Sequence, residues 1–386
     1  MKKATSALAL AALLAAPGIH ASQVEFGGDL QVTGFTANGE GFAAAGQDDW
    51  DDYGGFQQLL RLSANFQNED GVQVVTRMNL ANNTWSGHEG TGNVDDNQVA
   101  SQSNNQVSLD LGYVQIPLAN GLLRVGRQET SWAHCLVACD ERRDRILYST
   151  RVGGFQVNAF YDKASIEDVN VDGDQDNYQL AVIGMLPGNL LGGLLFIHSR
   201  YGDDFANPAL AGEDVNTITP YIDGNVGGVD LKAAFVFQTF SSDFIDDDRM
   251  AAFVRAGYDL GVANIEGQVY WADQYSANSG FDSFSSLINN SPRGNVNPVS
   301  FASLDPLGDE VVGFAARVST EVADGFRLVA AAGLYDFDAL DDDVTFFDLQ
   351  AHYQLTPSTS TWATFGWADD GDEDVIGATL NVRTTF

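Results

Sequence analysis

The stretch Val375–Phe386, "VIGATLNVRTTF", decides how the fold is read. Taken in steps of two, Ile376, Ala378, Leu380, Val382, Thr384 and Phe386 form a mostly apolar row. Gly377, Thr379, Asn381, Arg383 and Thr385 form a second row with no large apolar side chain. A period of two belongs to a strand whose faces meet different surroundings. An oily face with no chain left to cover it needs another cover. A closed sheet in hydrocarbon provides one: the oily row faces lipid, the polar row faces water, and pairing with the first strand removes the edge.

The same division recurs upstream. In "VQVVTRMNL" Val74, Thr76, Met78 and Leu80 alternate with Gln73, Val75, Arg77 and Asn79. In "LLRLSANF" Leu60, Leu62, Ala64 and Phe66 alternate with Arg61, Ser63 and Asn65. Arg and Asn groups buried in a dry core without partners would be costly, whereas facing a wet lumen they cost little. Alternating runs between turn signals predict strands at 23–36, 55–68, 72–82, 104–116, 122–129, 144–151, 154–163, 176–186, 191–201, 215–223, 228–240, 249–260, 263–273, 310–321, 326–337, 345–355, 360–368 and 375–386. The expectation is an all-β transmembrane antiparallel β-barrel of about 18 strands, with 16 as the alternative if one pair merges.

Connections sort into two classes. "NEDG", "PLANG", "VGG", "PGNL", "GNVGG", "DLGVA", "ADG" and "TPST" are short. Between them come longer, acid-loaded segments such as "QDDWDDYGG", "DVNVDGDQD", "SSDFIDDD" and "DDGDED", together with the stretches 83–103 and 274–309. Short turns on one rim and long loops on the other are the layout of outer-membrane barrels, and the short side is periplasmic. A soluble sandwich has no reason to sort its charge this way.

Composition agrees. Mean hydropathy is -0.12, since a strand needs only every second residue to be apolar. Lys2 and Lys3 precede "ALALAALLAA" and a small residue at Ala21. This predicts a secretory signal peptide, 1–21, too short to remain as a spanning helix, and a barrel over 22–386. The formal net charge is -34, which excludes nucleic-acid binding because phosphate neutralisation needs clustered Lys and Arg. Acidity on this scale attracts cations to the surface.

The segment Leu122–Tyr161, "LLRVGRQETSWAHCLVACDERRDRILYSTRVGGFQVNAFY", resembles the middle of Gram-negative general porins. Those carry a strand ending in a G-R-Q-like triplet, an infolded third loop, an Arg-rich return strand, a G-F turn and an alternating strand ending in Tyr. The matching residues are Gly126, Arg127 and Gln128, then Arg143 to Tyr148 with Ser149, then Gly154, Phe155 and Tyr161. The resemblance implies passive diffusion of small hydrophilic solutes through an eyelet where loop acids oppose wall arginines. It implies that Phe386 is read by the barrel-insertion machinery, and that the partners are outer-membrane lipid and lipopolysaccharide. A homotrimer is expected, with a monomer as the alternative. Because the loop between Gln128 and Arg142 is shorter than in the family, a less constricted lumen is expected.

Alternation itself puts Arg61, Arg77 and Arg124 on lumen-facing rows. Arg127, Arg142, Arg143 and Arg145 surround the third loop, with Asp140, Glu141 and Asp144 among them. Rings of charge commonly set pore selectivity; the alternative is that these arginines pair with lumen acids and stiffen the wall. Strict alternation after Arg124 would turn Arg127 outward.

Cys135 and Cys139 lie in this loop, in an oxidising compartment, and a disulfide pinching "CLVAC" is expected. Two free thiols, or a metal site with His134, are the alternatives. Asp168, Asn170, Asp172, Gly173, Asp174 and Asp176 follow the spacing of a calcium loop, but position twelve is Gln179 instead of Glu. A Ca2+ site, divalent bridging to lipopolysaccharide and incidental acidic spacing stay open; no other cofactor is implied. His88, His134, His198 and His352 sit in no recognisable triad setting, and no G-x-S-x-G elbow occurs. Channel, surface-attachment barrel and barrel hydrolase are therefore the three function classes, with the channel leading.

Overall fold

The computed structural model describes residues 21–39, 53–85, 107–165, 174–203, 205, 207–241, 248–289, 304, 310–338, 340, 343–371 and 374–386. In chain order the strands are β1 (Ala21–Gly39), β2 (Tyr53–Asn68), β3 (Gln73–Thr84), β4 (Ser108–Leu118), β5 (Gly121–Trp132), β6 (Ala138–Val152), β7 (Phe155–Ser165), β8 (Gln175–Leu186) and β9 (Leu190–Tyr201). They continue as β10 (Asp214–Val226), β11 (Val229–Phe240), β12 (Arg249–Asp259), β13 (Asn264–Asp273), β14 (Glu310–Ala323), β15 (Phe326–Phe337), β16 (Val344–Thr356), β17 (Thr359–Asp369) and β18 (Asp374–Thr385).

Every expected strand is present among the described residues, where eighteen form one closed sheet, and the sixteen-strand alternative falls. Each strand lies antiparallel beside its sequence neighbours, and β1 closes the ring on β18, with Val32 opposite Val382 and Gly34 opposite Leu380. The last residue extends this seam. Phe386 N–H donates to Gly28 O (3.0 Å), and Gly28 N–H donates to Phe386 O (2.9 Å). A Cβ on Gly28 would meet the Phe386 ring at 2.6 Å, so that glycine makes room for the ring. Of the expected signal peptide only Ala21 is among the described residues, where it pairs with Asn68 at the start of β1.

The outward row reads as alternation predicts. Ile376, Leu380 and Val382 are exposed, as are Val254, Phe314 and Leu349 on other strands. Inward rows divide into two sectors. From β18 through β1 and β2 most buried inward residues are polar, Asp29, Gln31, Thr33, Arg61, Thr379 and Asn381 among them, while Phe35, Ala37, Leu59 and Val375 on the same rows are apolar. On β12 to β16 they are mostly apolar, with Phe253, Tyr270, Val311, Tyr335 and Phe346 almost fully covered. This corrects the expectation of a uniformly wet interior. The cover is the segment after β13: Phe281, Phe284, Leu287, Ile288 and Leu304 fold inside the barrel and pack on those side chains. The hydrophobic core therefore lies within the lumen, where burying such side chains stabilises by about 1.5–3 kcal/mol each.

A second intrusion comes from the β5–β6 hairpin. β4 pairs with β5 only as far as Gly112–Arg127, and β6 pairs with β7 only from Asp144–Lys163. Between these limits the hairpin pairs with itself and leaves the wall. Gly126, at the departure point, has φ +125 and lies so close to β4 that a Cβ would meet Gly112 O at 2.3 Å. Only glycine tolerates both conditions. The short third loop still crosses the lumen, because the strands themselves carry it across. Loop length alone therefore does not set how far the hairpin reaches into the interior.

Candidate functional site

The hairpin tip lands on the wall of β10 to β12. Trp132 Nε1 donates to Thr219 O (3.2 Å) and His134 Nε2 hydrogen-bonds Ile222 O (3.2 Å). Trp132 meets Tyr221 edge-on at 5.0 Å, and His134 meets Phe253 edge-on at 5.8 Å. The landing place has a local cause. Pro220 brings no N–H to β10, and β10–β11 pairing lapses between Ile218–Phe237 and Tyr221–Ala234, at Thr219 and Pro220, without a change of register. Burial pushes His134 below the usual imidazole range, although Ile222 O and Asp223 pull the other way.

Cys135 and Cys139 form the expected disulfide and close the tip into a small ring. Leading into it, Ala133, His134 and Cys135 take φ values of 55, 55 and 70. A run of left-handed residues without glycine costs about 1–2 kcal/mol per residue, and it persists only when surroundings over-determine it. Leu136 is fully buried, and its carbonyl accepts from Asn278 N–H (3.1 Å). Asn278 Nδ2 donates to Glu141 Oε1 (2.6 Å). The two intruding segments are thus joined to each other as well as to the wall.

The arginines read from the sequence are held by acids or amides. Arg61 grips Asp29 with Nε and Nη2, both at 2.9 Å. Arg145 grips Asp162 with two bonds of 2.6 Å, and Gln179 adds a third bond to the same carboxylate (2.7 Å). Asp110 sits between Arg77 and Arg142, the latter at 2.6 Å. Arg142 also holds Asp140 (2.6 Å), while Glu129 reaches Arg77 at 3.5 Å. Arg143 pairs with Glu141. Arg124 Nε donates to Gln115 (2.7 Å), and its guanidinium lies 5.7 Å from the Tyr113 ring centre. Arg127 pairs with Asp144 at 3.3 Å on the outward row shared with Val125 and Ile146, the direction strict alternation predicts.

A further cluster was not read from the sequence. Asp282, on the segment after β13, takes Arg255 at 3.2 Å and Arg317 at 2.9 Å, and Arg317 also holds Glu266 at 2.8 Å. Both guanidiniums lie over the Phe284 ring, at 4.7 and 4.0 Å. Burial works to raise the Asp282 carboxyl, but the two arginines outweigh it and hold it below the usual carboxylate range. Arg255 and Arg317 stand on alternating rows in the sequence, so their inward direction was legible. Their partner was not.

Of the calcium-spaced residues, Asp168, Asn170, Asp172 and Gly173 lie outside the described residues. Asp174 and Asp176 both engage Lys163, at 2.6 and 3.1 Å. No cluster of metal-ligating side chains occurs among the described residues. His198 faces outward beside Asn216 (3.0 Å), and His352 stacks on Trp362; neither makes a triad.

These features meet in a barrel whose interior is narrowed by two segments and lined by charge pairs. The chain is similar in fold to OccK9 (OpdG) of Pseudomonas aeruginosa, with TM-score 0.64 and 12% identity over 95% of this chain and 99% of that one. It is also similar to OccAB4 of Acinetobacter baumannii, with TM-score 0.61 and 11% identity over 95% and 99%. The Pseudomonas aeruginosa outer membrane protein opdK gives TM-score 0.61 and 10% identity over 94% and 98%. No curated protein matches the chain. The model of the Gram-negative porin family matches residues 7–373. That span is nearly the whole polypeptide, and the chain belongs to this family of outer-membrane β-barrel transport proteins, a channel type and not an enzyme.

Proposed function

We propose that the protein is a passive diffusion channel for small hydrophilic solutes and ions, with the constriction at the infolded β5–β6 hairpin and the segment after β13. The observation that carries this reading is the Glu141–Asn278 link, which joins the two intrusions inside a barrel whose β18–β2 sector keeps a run of inward polar side chains from Asp29 to Thr33 and from Thr379 to Asn381. Solute passes along that polar sector, since the opposite one is filled with aromatic packing.

The constriction residues are Arg61, Arg77, Arg124, Arg142, Arg143 and Arg145 with Asp140 and Glu141; Arg127, on the outward row, is not among them. Because each pocket of positive charge is matched by a neighbouring acid or amide, these arginines exert a local field and little net one. The acidic loops then decide the sign at the mouth, acting over about a Debye length of ~8 Å at 0.15 M salt. A net preference for cations follows. The test is the reversal potential of the purified protein in a planar bilayer under a potassium chloride gradient. A cation-signed potential supports the reading, whereas anion preference or absence of conductance removes it. Assembly as a homotrimer belongs to the same proposal and is read from the mass of the detergent-solubilised particle.

A further inference from the structure

The disulfide ring stands at the point where the hairpin meets both the wall and the second intrusion. Three consecutive left-handed residues, Ala133, His134 and Cys135, none of them glycine, lead into the ring and end at its first cysteine. Apart from the S–S bond the tip is held by hydrogen bonds from Trp132 to Thr219 O, between His134 and Ile222 O and from Asn278 N–H to Leu136 O, and by the buried Leu136 side chain and the edge-on rings of Trp132 and His134. Cys139 Sγ rests 3.5 Å from Gly280 O, so the ring also touches the segment after β13. Cys139 is buried, whereas Cys135 is only half-buried.

We propose that the Cys135–Cys139 disulfide is a redox-cleavable clasp that positions the constriction: closed, it seats the hairpin tip on β10 to β12, and its reduction by a small dithiol lets the tip leave. The inference rests on the pore reading above. One thiolate of the dithiol attacks Cys135 Sγ, the accessible sulfur, breaking the S–S bond and expelling Cys139 as a thiolate. The second thiol of the reagent then attacks the mixed disulfide and releases Cys135. The reagent is oxidised to a disulfide, and two electrons and two protons pass to the cysteines. With the covalent closure gone, Cys135 is released to the right-handed backbone that residues with a Cβ prefer, and the left-handed run that it ends, Ala133 and His134, loses its anchor. His134 and Trp132 then lose the geometry that aims them at the β10 carbonyls.

The experiment records single channels of the full protein in a planar bilayer before dithiothreitol, during it, and after reoxidation with diamide. Expected is a rise in conductance and open-channel noise on reduction, reversed on reoxidation. The double variant C135S/C139S begins in the high-conductance state and ignores both reagents. Thiol alkylation read by mass spectrometry reports whether the bond has opened. A bond that resists the dithiol in the inserted protein overturns the clasp, as does unchanged conductance once the bond is cleaved. Absence of current before any reagent is added defeats the pore reading instead. The clasp is then judged by amide exchange across 131–141: faster exchange on reduction supports it, and equal exchange overturns it.

Discussion

Asn278 Nδ2 lies 2.6 Å from Glu141 Oε1, a bond between two segments 137 residues apart in sequence that both leave the wall. Glu141 keeps Arg143 as a second partner, so Asn278→Ala removes the bridge without stranding a charge. Loss of a hydrogen bond to a charged group costs about 1.5–3 kcal/mol. Open-channel noise should rise in N278A while reversal potential stays put, and single-channel recording checks both.

The Asp282 clamp carries a pH dependence whose sign follows from its partners. Arg255 and Arg317 hold the folded carboxyl below its unfolded value of 3.8. Its contribution is therefore fully present above that value and is lost as pH falls through the lower, folded value. Acidification below about pH 4 should loosen residues 275–289, seen as faster amide exchange there than in the strands. Asp282→Asn should abolish that acid step and lower stability by about 3 kcal/mol, since it leaves two guanidiniums facing one another.

Arg145 and Asp162 test whether a lumen arginine filters solutes or stiffens the wall. Both are buried, and Arg145 also lies 4.6 Å from the Phe160 ring centre. Arg145→Ala strands a buried carboxylate and should cost roughly 3–5 kcal/mol, read as a lower midpoint in heat-modifiable gel mobility. The paired change R145M/D162L should restore most of that loss. Reversal potential should barely move in the paired variant; a large shift would make Arg145 a filter residue.

Leu380 and Thr379 are neighbours on opposite faces of β18, the first exposed and the second buried. An arginine at the bilayer midplane on the outer face of such a barrel costs about 2–4 kcal/mol. Leu380→Arg should therefore reduce folding into lipid vesicles by that amount, and Thr379→Arg, entering a polar sector, by much less. Equal losses at the two positions would mean that neither face is hydrocarbon. Spin labels at Leu380 and Val382 give the same answer spectroscopically, as accessibility to oxygen over aqueous quenchers.

Several elements were legible before any coordinates. The eighteen strands, their outward rows and the short and long connections follow from a period of two and from turn chemistry, and both are local. The inward direction of Arg61, Arg77 and Arg124 follows from the same alternation, as does the outward direction of Arg127. The Cys135–Cys139 pair was legible because the two cysteines are close in sequence. The partners of the arginines were not, because Asp29, Asp110 and Asp162 reach them only through the register of neighbouring strands.

Sequence by itself determined the closed sheet, since alternation states which side of each strand wants hydrocarbon and which wants water, residue by residue. Only the tertiary structure decided what fills the space enclosed. Tyr270, Tyr335 and Phe346 stand on inward rows that alternation alone would leave wet, and Phe281, Phe284 and Leu287 stand in a segment without periodicity. Each set lacks a partner until the barrel closes and brings them together. Gly126 likewise marks the point where the hairpin leaves the wall, but its destination depends on Pro220 and the carbonyls of β10, far along the chain. Local periodicity chooses a face; long-range contact chooses what meets it.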